Sequence, residues 1–160
     1  MKKKIELDGK DLQILGLLQE DAMMPVADIA ERIGLTTTPC WRRIQRLEEA
    51  GVVRRRVAIL DPAALNVPVS VFVSVRTSQH SARWLQKFRR ALEDIPEVVE
   101  AYRMSGEVDY LLRVVVPDIA GYDQVYKALI QRVELADVTS SFSMEELKHV
   151  TALPLHHAGK

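Results

Sequence analysis

Thr36 to Arg56 holds the side chains best suited to chemistry in this chain. Arg42, Arg43, Arg46, Arg54, Arg55 and Arg56 stand there against only Glu48 and Glu49. Every cation is an arginine, whose planar fork suits phosphate oxygens and guanine edges. The rest of the 160-residue chain cancels this local excess, because 22 Lys and Arg balance 22 Asp and Glu for a formal net charge of zero. Binding by bulk charge is thereby excluded, and a nucleic-acid contact would have to come from this one patch. Other chemistries find less support. Cys40 is the only cysteine, which excludes an intramolecular disulfide, and it lacks the partners of a zinc cluster. His80, His149, His156 and His157 share no ligand spacing beyond the adjacent last pair. No nucleophile-base pair, phosphate loop or metal set marks a catalytic centre.

The elements that must position the arginines follow from periodicity. Leu12, Leu15 and Leu18 form one stripe, with Asp8 as a capping residue, so a first helix is expected to about Gln19. Pro25 opens a short second helix carrying Val26, Ile29 and Ile33, and Gly34 stops it. Thr36 is the N-cap candidate of a third helix that starts near Thr37, tolerates Pro39 in its first turn and ends before Gly51. At about 100° per residue, Cys40, Ile44 and Leu47 point inward while Thr38, Arg42, Gln45, Arg46 and Glu49 point outward. Two short helices joined by a tight turn, the second with a cationic outer face, predict a helix-turn-helix. Val52 to Leu60 is β-branched and basic and is expected to be a strand or wing, after which Asp61 to Pro68, with two prolines, reads as a linker.

The second half alternates strand and helix patterns. Val69 to Arg76 alternates apolar and polar residues as a strand does, and Leu85, Phe88 and Leu92 mark a helix. Val98 to Met104 and Tyr110 to Val116 are expected to pair as a hairpin across SGEVD. Pro117 and Asp118 open a helix carrying Ile119, Tyr122, Tyr126, Leu129 and Val133, and Val138 to Glu145 is a last strand. The order β-α-β-β-α-β predicts a ferredoxin-like sheet with helices on one face, so the other face needs cover and self-association is expected. The fold class is therefore α+β, with a helix-turn-helix domain at 1–60, a linker at 61–68 and a ferredoxin-like domain at 69–160. Composition, 48% hydrophobic and 28% charged, is that of a globular chain rather than a disordered one. No apolar run approaches the roughly 20 residues of a membrane span, and MKKKIELDGKD lacks a signal-peptide core. A cytoplasmic protein is expected.

LDGKDLQILGLLQED at 7–21, ADIAERIGLTTTPCWRRIQRLEEAGVV at 27–53 and SGEVDYLLRVVVPD at 105–118 resemble the Lrp/AsnC, or feast/famine, family of prokaryotic transcription regulators. The resemblance covers nearly the whole chain. It implies a winged helix-turn-helix joined to an effector-binding domain, binding to double-stranded DNA of the nucleoid, and dimers built on the C-terminal domain that assemble into tetramers or octamers. It also implies an amino-acid effector held between C-terminal domains. TTTPCWRR, RMSGEVDYL and DVTSSFSMEELKHVTALPL resemble cysteine-responsive activators of the family, which makes cysteine the leading effector, with leucine or another amino acid open.

These inferences define two site expectations. Thr36, Thr38, Trp41, Arg42, Arg43, Gln45, Arg46, Arg54 and Arg56 form the DNA-contact set. Thr38, Arg42, Gln45 and Arg46 are expected at base edges and Arg43 at phosphate. Trp41, at the side of the helix, is expected mainly to pack, and Arg54 and Arg56 share one strand face as either phosphate contacts or charged edge protection. Cys40 is expected to be a buried hydrophobe. Met104, Gly106, Glu107, Asp109, Thr139, Ser140 and Ser141 form the effector set: Gly106 permits a sharp turn with open N–H groups, Asp109 suits an ammonium group, and the β-strand hydroxyls suit ligand polar atoms. The plain alternative is a hairpin turn in which Asp109 bonds its own backbone. The functional reading is a sequence-specific regulator of amino-acid metabolism with no enzymatic activity. Its rivals are a DNA-compacting architectural protein and a small ferredoxin-like enzyme.

Overall fold

Asp8 is the residue on which the first helix is built. Its side chain accepts the Asp11 N–H at 2.9 Å, and the Asp11 carboxylate accepts the Asp8 N–H at 3.0 Å, a reciprocal capping box that starts α1, Gly9–Glu20. The computed structural model describes residues 5–158. After a turn, α2 spans Val26–Arg32 and stops where Gly34 takes φ 65°, a left-handed conformation that glycine adopts without a Cβ penalty. Then α3 runs Thr37–Glu49. Thr36 is its N-cap by position, but no side-chain cap hydrogen bond forms. The three helices enclose a core of Ile14, Leu15, Leu18, Ile29, Cys40, Ile44 and Leu47, so the inward stripe expected of α3 is the buried one.

The chain divides into two compact units, and the first contains these helices together with the chain from Lys148 onward. This differs from the expected single C-terminal domain through to the last residue. Gln19 explains the difference: its amide donates to the Leu153 carbonyl at 3.2 Å and accepts the Leu153 N–H at 2.7 Å, while Leu155 packs on the helical core. A second departure concerns Val52 to Leu60, expected to be a strand or wing. The segment forms no strand, because no neighbouring segment among the described residues supplies the ladder of hydrogen bonds that a strand requires.

The second unit, Leu60–Leu147, contains a four-stranded antiparallel sheet. Its strands are β1 (Val69–Arg76), β2 (Val98–Arg103), β3 (Tyr110–Val116) and β4 (Asp137–Phe142), in the order β2-β3-β1-β4. Two helices, α4 (Ala82–Glu93) and α5 (Ile119–Arg132), complete the ferredoxin-like β-α-β-β-α-β order. The sheet's period of two sends Val71, Val73, Val75, Leu112, Val114 and Val116 to the helices, where Phe88, Trp84 and Leu129 meet them. Trp84 stacks on Phe88 at 5.0 Å and satisfies its indole N–H on the Glu134 carbonyl at 3.0 Å. Ile119, expected on the inner stripe of α5, is 72% exposed; it is the first residue of the helix, and Tyr122, Val125 and Leu129 supply the contact instead. The opposite sheet face carries Phe72, Tyr102, Leu111 and Val115 with no covering layer within the unit.

Candidate functional site

The cations of α3 divide into two groups. Arg42 is exposed, with no charged partner among the described residues, and lies near Thr38 on the outermost line of the helix. Trp41, expected to pack, is instead 51% exposed beside them, because the core positions of α3 are filled by Cys40, Ile44 and Leu47. Gln45 is half-buried and donates to Glu48 at 3.2 Å. Arg43 and Arg46 reach the other way, toward α1. Arg43 Nη1 donates to Asp8 at 2.7 Å and to Asp11 at 2.8 Å, and Arg46 Nη2 donates to the other Asp11 oxygen.

Asp11 is fully buried, so its charge requires these partners. The same contacts shift the neighbouring groups. The Asp11 N–H and the Arg43 guanidinium hold the Asp8 carboxyl below its ordinary value, and the two carboxylates raise Arg43 further. The expected base contact of Arg46 and phosphate contact of Arg43 thus meet a competing role inside the fold. Asp8 caps α1 as expected, but its tie to Arg43, and Asp11 altogether, were missed, although the D-x-x-D spacing of the capping box was a usable signal.

The segment after α3 is likewise mixed. Arg54 and Arg55 are exposed without charged partners among the described residues. Arg56 is tied to Glu48 at 2.9 Å and to the Ala22 carbonyl at 2.8 Å. Arg54 and Arg56 therefore do not act as one strand face; the segment is not a strand, and only Arg56 is held. Cys40 has no exposed surface, and burial pushes its thiol up, which makes it a core residue rather than a redox sensor.

In the second unit the SGEVD turn borders an open cleft of about 580 Å³. Gly106 takes φ 125° there, as its expected turn role requires. Gly106, Glu107 and Asp109 share the cleft with Arg76, Thr77 and His80, and Asp137 closes its far side. Asp109 Oδ2 accepts the Thr77 N–H at 2.8 Å, a bond across to the end of β1 rather than to its own turn. The other expected effector residues are placed elsewhere. Met104 donates its N–H to the Asp109 carbonyl at 2.8 Å but does not line the cleft, and neither do Thr139, Ser140 and Ser141. Those three alternate along β4: Ser140 turns to the helix side and bonds the Tyr122 hydroxyl, while Thr139 and Ser141 lie on the open face. Arg76, Thr77, His80 and Asp137 were missed because nothing in their local sequence marks the strand ends that the antiparallel register brings to the hairpin.

A model of the AsnC-type helix-turn-helix domain matches residues 7–48, and one of the Lrp/AsnC ligand binding domain matches residues 70–153. The chain belongs to the Lrp/AsnC family. The glutamate uptake regulatory protein of Zymomonas mobilis is 48% identical over 150 residues, covering 94% of this chain and 92% of that protein. The DNA-binding transcriptional activator DecR of Escherichia coli is 45% identical, covering 93% of this chain and 99% of that one. Among solved Lrp/AsnC structures, an AsnC family regulator of Agrobacterium tumefaciens superposes with a TM-score of 0.91 at 58% identity, covering 94% of this chain and 99% of that chain. A regulator of Neisseria meningitidis solved as its L-Met complex superposes at 0.89 with 34% identity, over 94% and 98% of the two chains. The Lrp/AsnC models meet at the gap between residues 48 and 70, which contains Arg54 to Arg56 and the Asp61 to Pro68 segment.

Proposed function

We propose that this Lrp/AsnC chain is a sequence-specific DNA-binding transcription regulator of amino-acid metabolism whose DNA affinity responds to a small amino acid. The observation that carries the reading is the outer line of α3, where Thr38, Trp41 and Arg42 stand exposed on the second helix of a helix-turn-helix. That helix is the one such motifs place in the major groove, where an arginine can take a guanine bidentately. Arg54 and Arg55 add phosphate contacts that hold register without specifying sequence. A second copy pairs on the open sheet face through Phe72 and Tyr102, so two α3 helices read half-sites about one helical turn, or a multiple of it, apart. Higher assemblies, tetramers or octamers, build on that dimer. The protein acts in the cytoplasm on nucleoid DNA; among the described residues no helix is long and apolar enough to cross a membrane.

The effector occupies the cleft at Gly106 and Asp109. Asp109 keeps one carboxylate oxygen without a protein partner among the described residues, suited to an ammonium group, while Arg76 beside it suits a carboxylate. Cysteine leads the candidates by resemblance alone, and a relative named for glutamate uptake and a neighbour holding L-Met keep other amino acids in the test. An effector that binds one assembly better than another shifts DNA affinity by that difference alone. Competition binding of the full-length protein at fixed salt tests the function: a selected duplex should outcompete random duplex by at least tenfold, whereas equal affinities would favour an architectural protein. A thermal-shift screen of all the amino acids then identifies the effector, since a ligand that binds only the folded state raises its stability.

A further inference from the structure

Arg43 and Arg46 lie three positions apart, which puts both on one flank of α3, and both end on α1. There the Asp11 carboxylate, with no exposed surface, accepts Arg43 at 2.8 Å on one oxygen and Arg46 on the other. The second oxygen also accepts the Asp8 N–H at 3.0 Å, and Asp8 accepts Arg43 at 2.7 Å. Two carboxylates and two guanidiniums thus close a network of zero net charge at the contact between α1 and α3. A buried carboxylate left unpaired loses its hydration with nothing in return, so Asp11 enforces both contacts. Two anchors one turn apart fix the rotation of α3 about its own axis, and that rotation decides which side chains face outward.

We propose that Asp11 is a positioning residue for DNA recognition, holding α3 in register through Arg43 and Arg46 so that Thr38, Trp41 and Arg42 form the face presented to the duplex. This rests on the reading of α3 as the DNA-contacting helix. It makes Arg43 and Arg46, though partly exposed, struts from α3 to α1 whose charge Asp8 and Asp11 already balance. Such arginines release few counterions from DNA, whereas an unpaired arginine at a phosphate, the role proposed for Arg54, releases about one.

The test uses full-length wild type and the variants Asp11→Asn, Arg46→Gln, Arg42→Ala and Arg54→Ala. A duplex recovered by wild-type selection from a random-sequence pool serves as probe, with an unselected random duplex as competitor. Affinity is measured against salt. Arg46→Gln, in which Asp11 keeps Arg43 and the Asp8 N–H, should keep the wild-type slope of log affinity against log salt. Arg54→Ala, which removes a phosphate contact, should flatten it by about 0.9 for each protomer engaged, and Arg42→Ala, which removes a base contact, should lower preference for the selected duplex. Asp11→Asn keeps the shape of the side chain but removes the only carboxylate that pairs Arg46 among the described residues and leaves Arg43 to Asp8 alone, so the slope should steepen and preference for the selected duplex should fall at least tenfold. A structural role alone would lower stability without steepening the slope. If Arg46→Gln flattens the slope as Arg54→Ala does, Arg46 is a phosphate contact and the proposal is overturned; because that variant keeps the buried carboxylate bonded to Arg43 and the Asp8 N–H, this arm survives a failure of Asp11→Asn to fold. Unchanged slope and preference in a folded Asp11→Asn would overturn it equally. If a folded Arg42→Ala leaves the preference for the selected duplex at its wild-type value, the reading of α3 itself fails instead.

Discussion

Replacing Phe72 by Glu probes the open sheet face, and its cost can be worked from exposure. Phe72 is 41% exposed and Tyr102 is 52% exposed. An aromatic side chain buries about 200 Å² when fully enclosed, so these leave roughly 80 and 100 Å² of apolar surface in water. At about 25 cal/mol per Å², covering Phe72 is worth about 2 kcal/mol in each protomer, or about 4 kcal/mol in a symmetric dimer where the residue occurs twice. Phe72→Glu forfeits that gain and adds a charge beside its twin, so the dimer dissociation constant should rise by about a thousandfold. The monomer should remain folded, because Phe72 points away from the Val71, Val73 and Val75 core. Sedimentation velocity across a dilution series, with circular dichroism as the folding control, measures both quantities. A folded Phe72→Glu protein that stays dimeric over the wild-type concentration range would refute the argument that this face holds the second copy.

Asp109→Asn removes the charge that meets the effector ammonium while retaining an oxygen for the Thr77 N–H, so calorimetry should show effector affinity reduced at least tenfold with the thermal midpoint nearly unchanged. Unchanged affinity would move the site elsewhere. Asp8 carries a pH signature: its folded-state pKa lies below the ordinary 3.8, so its contribution is complete above that value and disappears as pH falls through the lowered one. Asp8→Asn, which keeps a capping oxygen, should therefore melt lower than wild type at neutral pH, and the gap should close in acid; a gap independent of pH contradicts the charge pairing. The Cys40 thiol, buried and pushed up, should resist a thiol-specific reagent in native protein and react at once in denaturant. Rapid native labelling would contradict its place in the core.

The elements were legible because their signals are local. Cys40, Ile44 and Leu47 repeat at helical spacing, and Val71, Val73 and Val75 at strand spacing, so the pattern names both the element and its buried face. Gly106 was legible for the same reason, since a hairpin must turn within SGEVD. Partners distant in sequence were not. A helical wheel directs Arg46 outward, but nothing within α3 announces a buried Asp11 that lies 35 residues earlier. Val52 to Leu60 has strand composition, yet composition supplies only one side of a ladder, and among the described residues the other side is missing. Leu153 and Leu155 lack any period because the segment holding them meets α1 through single contacts, notably the paired bonds to Gln19. The lining of the cleft at the SGEVD turn was half legible: Gly106, Glu107 and Asp109 come from one turn, whereas Arg76 and Asp137 arrive from the register of β1 with β4.

The outer line of α3 as the DNA-reading surface is the central claim, and selection from a random-sequence duplex pool tests it most directly. Full-length wild type should enrich a defined motif with two half-sites. Arg42→Ala, folded to the same thermal midpoint, should lose the preference at one base pair of each half-site, at a cost of about 1–3 kcal/mol. Enrichment of the same motif with the same strength by both proteins would contradict the account.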